Sequence, residues 1–142
     1  MNRYALSLAA LAMAASMHAA AQGTTTPHRN IPEQGLVKAE KNYLACLGLE
    51  NTGLMESAIA QIVRFKMLYP DRELTALRQR LEELSVNGPL PTIRYRAYLA
   101  ASVLDNPALM APVRGLEGMT NEELFSAIAH RLQVTLLGDV VQ

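Results

Sequence analysis

Residues 43–55, YLACLGLENTGLM, and residues 98–110, YLAASVLDNPALM, decide how this chain is read. Aligned without a gap, they share Tyr43/Tyr98, Leu44/Leu99, Ala45/Ala100, Leu49/Leu104, Asn51/Asn106, Leu54/Leu109 and Met55/Met110, and Glu50 faces Asp105. Each phrase opens with apolar residues at helical spacing and then meets an asparagine. The short amide of that residue can accept a hydrogen bond from a free N–H in the first turn of a following helix. Each phrase therefore reads as the end of one helix, a capped corner and the start of the next. The offset of 55 residues from Tyr43 to Tyr98 leaves room for roughly three helices per unit. Two accounts fit it: a true internal repeat, whose units bury their apolar faces on one another, or the shared composition of helix corners in a chain rich in Ala and Leu.

Beyond these phrases, apolar residues recur at three and four from about Gln34, and no segment carries the alternation of a β-strand. The expected class is all-α, a short HEAT-like helical repeat of about five helices. The first is predicted over residues 35–49, with Leu36, Ala39, Tyr43, Cys46 and Leu47 or Leu49 toward a core. Asn51 caps the second, LMESAIAQIVRFKMLY, which is apolar over more than half its circumference and should lie between other helices. Tyr69-Pro70-Asp71 is a stop followed by a start, with Asp71 as N-cap of the third helix, RELTALRQRLEELS. Its stripe is Leu74, Leu77, Leu81 and Leu84. Asn87-Gly88 reads as a left-handed C-terminal cap ahead of Pro89 and Pro91. The fourth helix, TIRYRAYLAASVLD, starts from a Thr92 cap and ends at Asn106-Pro107, a cap residue followed by proline at the first helical position. Pro112, Gly115 and Gly118 make residues 111–119 an irregular connection. The capping box from Thr120 to Glu123 then opens the last helix, through Leu124, Phe125, Ile128, Leu132 and Leu136 to Gly138, with residues 139–142 as a tail.

The N-terminus has the features of a cleaved export signal. Met1 to Arg3 is a short basic start, Tyr4 to Ser16 is rich in Ala, Leu and Met, and Ala19-Ala20-Ala21 offers small residues to signal peptidase. A retained anchor needs about 20 strongly apolar residues, whereas this run is shorter, holds Ser7 and Ser16, and is followed by His18. Residues 1–21 are thus expected to be removed, leaving a polar lead over 22–33 and a helical domain over 34–138, exported to the periplasm or the outside of the cell. Without Arg3 the charged side chains number 12 basic against 13 acidic. Nucleic acid and anionic membranes are bound mainly through clustered Lys and Arg, so neither is expected as a partner, and no membrane insertion is expected after cleavage. The single cysteine, Cys46, cannot pair within the chain, and stability must come from the apolar core.

The segments ENTGLMESAIAQIVRFKMLYPD, residues 50–71, and IRYRAYLAASVLDNP, residues 93–107, resemble a group of small exported bacterial proteins similar to HEAT-type α-helical repeats. In that group E-N-x-G-x-x-E-S-A precedes a helix ending in Y-P-D, and I-R-Y-[KR]-A-Y-L-A opens a later one. The resemblance spans about Glu40 to Leu109. It implies a helical-repeat fold and an envelope location, and it carries no catalytic residues. The irregular residues 111–119 depart from a regular repeat.

Chemistry-bearing patterns are sparse. His28 lies in the lead, and Ala127 and Ser126, three and four residues before His130, provide no second ligand on that helix. No metal site or cofactor site is expected on those spacings. Cys46, between Ala45 and Leu47, reads as a small core residue; a nucleophile would need a base, for which His130 is the one histidine in the predicted domain. No phosphate loop, G-x-S-x-G or paired-carboxylate motif is found, and no catalytic residue is assigned. The candidate interaction patch is Arg94, Tyr95, Arg96 and Tyr98, because Arg and Tyr are favoured at binding hot spots. The alternative is that Tyr98 packs in a corner as Tyr43 does while Arg94 pairs with an acid on a neighbouring helix. The expected function is an interaction or scaffold module that binds a protein partner and has no catalysis of its own. The alternative is a holdase whose Met55, Met67, Met110 and Met119 engage unfolded clients. Surplus apolar residues in the last helix must be covered either by the irregular residues 111–119 or by another protein, and a homodimer or partner interface is expected there.

Overall fold

The computed structural model describes residues 31–140, with side chains up to Gly138. The expected signal, residues 1–21, lies outside them, as does most of the lead. The described residues are all-helical: α1 (Glu33–Leu47), α2 (Thr52–Leu68), α3 (Thr75–Asn87), α4 (Pro91–Asp105), two 3₁₀ turns (Pro107–Met110 and Leu116–Gly118) and α5 (Asn121–Val140). No β-strand occurs among them. Helices α2 and α4 are the inner pair. Helix α2 packs on α1, α4 and α5, while α4 packs on α2, α3 and α5, and α1 also reaches α3. The leucine stripe of α3 is buried throughout at Leu74, Leu77, Leu81 and Leu84, and α4, on which it packs, buries Ile93, Ala97, Ala100, Ala101 and Leu104 in the same core. Helix α2 contributes Met55, Ala58, Ile59, Ile62, Val63 and Phe65. Two ring contacts widen the aromatic end of that core: the Phe65 ring lies 5.8 Å from Tyr43, edge-on, and 5.1 Å from Tyr69, tilted.

The corners obey different rules. At Asn51 the Oδ1 accepts from the Leu54 N–H at 3.1 Å, so the side chain satisfies one of the orphan donors of α2. Thr120 and Glu123 form the reciprocal box that opens α5: Thr120 Oγ1 accepts from the Glu123 N–H at 3.2 Å, and Glu123 Oε2 accepts from the Thr120 N–H at 2.8 Å. The Thr120 N–H first, and then the Thr120 hydroxyl, which also donates to Oε2, hold the Glu123 carboxyl below the usual carboxylate range. Asp71, by contrast, caps nothing. Helix α3 starts later, at Thr75, with Leu74 at the cap position and no side-chain cap bond. The reason is Arg72, whose guanidinium is drawn to α1 while its own carbonyl accepts from Lys66 Nζ at 2.8 Å. That double tether holds residues 70–74 in a turn.

Asn106 differs in kind from Asn51. It terminates α4, its N–H donating to the Ser102 carbonyl at 3.1 Å, and its side chain makes no cap bond. The next element is a four-residue 3₁₀ turn whose Leu109 N–H is satisfied by the Asn106 backbone carbonyl at 3.1 Å, which leaves the amide unneeded. Thr92 is likewise not a cap, since α4 begins at Pro91 behind Leu90. Asn51→Ala should therefore cost about 0.5–2 kcal/mol, and Asn106→Ala distinctly less. Urea titrations of both variants check this, and equal midpoint shifts would contradict the assigned geometry.

The two matched phrases also end up in different environments. Leu49 and Leu54 are exposed where Leu104 and Leu109 are buried, and Tyr43 is half-buried where Tyr98 is exposed. Of the apolar pairs, only Met55 and Met110 share the same fate, both buried in the core. The elements diverge as well: α1 stops at Leu47, three residues short of Glu50, whereas α4 runs on to Asp105, its counterpart.

Candidate functional site

Arg94, Tyr95, Arg96 and Tyr98 all lie in α4, but a helix advances about 100° per residue, so four positions within five residues cannot share one face. The structure separates them. Arg96 turns inward, with its side chain 14% exposed. Its guanidinium meets Glu56 of α2 at 3.2 Å and pairs with Glu122 of α5. It also lies over the Phe125 ring, 5.3 Å from the centroid, a cation–π arrangement that joins α4 to α5. Arg94 pairs with no acid among the described residues; its Nη1 donates to the Gly88 carbonyl at 2.8 Å and closes the corner in front of its own helix. The patch residues left on the surface are Tyr95, 56% exposed, and Tyr98, 51% exposed. They are three residues apart and neighbours on one face. The expectation that Tyr98 packs in the manner of Tyr43 is not met.

Arg96 belongs to a wider pattern that sequence reading missed. Arg64 of α2 donates to Asn121 Oδ1 at 3.0 Å and to the Met119 carbonyl at 2.9 Å, fixing the entry to α5. Arg72 takes Glu33 in a bidentate pair at 2.9 and 3.0 Å and also pairs with Glu40, which docks the 70–74 turn on α1. The Glu33 carboxyl is held below its usual range by that hydrogen-bonded guanidinium. Arg80 of α3 donates to the Leu47 carbonyl at 3.1 Å, at the end of α1, and Arg131 of α5 donates to the Leu109 carbonyl at 3.2 Å. Planar forked donors suit carbonyls and carboxylates at helix ends, where backbone acceptors lack partners. In a domain with one cysteine these guanidinium groups are the ties between elements. No sequence signal distinguishes such arginines from surface ones, because each partner lies on another element.

A cleft of about 880 Å³ lies between the C-terminal half of α2 and the 113–121 connection. Met67, Leu68, Val113, Leu116 and Met119 provide apolar walls, and Gln61, Arg64, Glu117 and Asn121 provide the polar ones. The 3₁₀ turn Leu116–Gly118 and the left-handed Gly115, φ 74°, shape the connection. Of the four methionines singled out in the sequence, Met55 and Met110 are core residues, and Met67 and Met119 line this cleft.

Cys46 is half-buried on α1 at the margin of the core, and His130 is exposed on α5. Among the described residues no three His, Cys, Asp or Glu side chains gather into a metal-holding group. No helix among them is long and apolar enough to cross a membrane. Comparison of the chain with protein-family models, with curated proteins and with solved structures finds no match.

Proposed function

We propose that this chain is an exported α-helical binding module of the HEAT-like kind, which holds a folded protein partner and performs no catalysis of its own. The observation that carries this reading is the pair Tyr95 and Tyr98. Two tyrosines more than half exposed at i and i+3 are a surface made for burial by a partner, since tyrosine brings large rigid area and a hydroxyl at low entropic cost. They are presented on a rigid base. Helix α4 is buried beneath them at Ile93, Ala97, Leu99 and Ala101, and Arg94 and Arg96 lock it at its start and its middle. The export signal read in residues 1–21 supports an envelope setting for that partner.

The holdase alternative rests on the Met67–Met119 cleft, with Met55 and Met110 withdrawn into the core. One experiment separates the readings. Protein from an envelope extract is cross-linked to the immobilised chain, alongside a Tyr95→Ala/Tyr98→Ala variant of unchanged unfolding midpoint. A single folded partner captured by the parent and lost with the variant is the expected result. Equal capture by both chains, or suppression of aggregation of unrelated proteins, would overturn it in favour of the holdase.

A further inference from the structure

We infer that two copies of this chain exchange the ends of α5, each filling the α2-side cleft of the other. The inference goes beyond the tyrosine surface and uses none of its residues.

Helix α5 changes character along its length. From Asn121 to Leu132 it packs on the body, with Leu124, Phe125 and Ile128 buried. From Gln133 to Gly138 every side of it is exposed, including Val134, Leu136 and Leu137 at 45, 62 and 63%. Two turns of free helix in water are normally polar, because an isolated helix end gains nothing from apolar side chains. Here the run Leu132–Gly138 contains no charged residue at all. Such a ridge asks for a cover, and its neutrality lets an identical chain supply one without like-charge repulsion.

The cleft is the matching concavity. Its apolar walls are Met67, Leu68, Val113, Leu116 and Met119, and Leu68 is itself 63% exposed. The guanidinium inside it, Arg64, already donates to Asn121 Oδ1 and to the Met119 carbonyl, which holds it against the start of α5. A volume of about 880 Å³ leaves room for apolar side chains from another chain to enter.

Length keeps the α5 ridge out of the cleft of its own chain. Asn121, the first residue of α5, is part of the cleft wall. Leu136 stands 15 residues further along a continuous helix, ~22 Å away at 1.5 Å per residue. The ridge cannot return to its own cleft while α5 is intact. Ridge against ridge is also insufficient, since two helical turns per copy fall well short of the ~1,200 Å² at which specific interfaces begin. Reciprocal exchange covers two ridges and fills two clefts about one twofold axis, and it closes at a dimer.

Two single-cysteine chains test this, both in a Cys46→Ala background: Leu68→Cys in the cleft and Leu137→Cys on the ridge. Both sites are mostly exposed, so folding is not at risk. Mixed and mildly oxidised, they should give a disulfide-linked pair of one chain of each kind, because bridging needs Cα atoms within about 7 Å. Light scattering of the unmutated protein should give a dimer at micromolar concentration. Leu136→Glu should weaken that dimer at least about tenfold, with the parent's unfolding midpoint retained at concentrations low enough for both chains to be monomers. A monomer at all concentrations, a ladder of larger species, or Leu137→Cys chains that bridge only to each other would overturn the exchange. So would a Leu136→Glu chain that unfolds, since that leucine would then belong to its own core.

Discussion

Phe125→Ala is expected to lower the free energy of unfolding by about 3–5 kcal/mol, the usual cost of emptying a buried phenylalanine site. Phe125 is 4% exposed and sits between two fully buried residues of the same helix face, Leu124 and Ile128. It is also the floor beneath Arg96. Truncation therefore removes apolar contact, opens a cavity at the seam of α4 and α5, and leaves a guanidinium that is 14% exposed without its ring. Against a total stability of about 5–15 kcal/mol for a domain, a loss of this size should move the thermal midpoint by more than about 10 °C. Denaturant titration with the parent as reference measures it. A loss below about 1 kcal/mol would mean that the first turns of α5 unfold separately from the rest, and that Arg96 ties them to nothing cooperative.

Much of the helical layout was legible because it depends on short-range rules. The stripe Leu74, Leu77, Leu81 and Leu84 is visible in the sequence and is buried in the structure, since period alone selects a face. The corner at Asn51 and the box at Thr120 are local hydrogen bonds closed within three residues, and spacing is enough to write them. Asp71 shows where such rules lose. A good cap residue is outweighed when its neighbour Arg72 bonds to Glu33 and Glu40 across the fold and Leu74 must be buried. Tyr43 and Tyr98 show the same limit: both lie in helix, as their shared pattern predicts, but burial is set by whichever element lies opposite. The patch of Arg94, Tyr95, Arg96 and Tyr98 was half legible. The tyrosines can be named as surface candidates, yet nothing in the order of residues says that Arg96 reaches two carboxylates, one 26 and the other 40 positions away.

Gly88 gives the second large effect, for a reason that differs from the one its sequence context implies. Asn87-Gly88 before proline has the look of a left-handed helix end, where asparagine is the standard substitute for glycine. The backbone there is instead φ −58°, ψ 151°, open to any residue. The demand for glycine is steric. A Cβ built at this position would stand 2.5 Å from the Leu84 carbonyl oxygen, with Ile93 Cγ2 at 3.1 Å and Arg94 Cγ at 3.2 Å. The first of these is backbone inside α3 and cannot swing aside. The same carbonyl accepts from the Gly88 N–H at 2.9 Å, and the Gly88 carbonyl accepts from Arg94. Moving the residue outward to admit a methyl group thus strains both bonds, and it parts α3 from α4 at the corner that sets their packing. Gly88→Ala should cost about 2–3 kcal/mol, near the top of the range for overpacking. Gly88→Asn should cost at least as much. The pair of variants discriminates between the two geometries, because at a left-handed position asparagine recovers much of what alanine loses. Urea midpoints in which Gly88→Asn is clearly the milder change would restore the left-handed cap and remove the steric account of the α3–α4 corner.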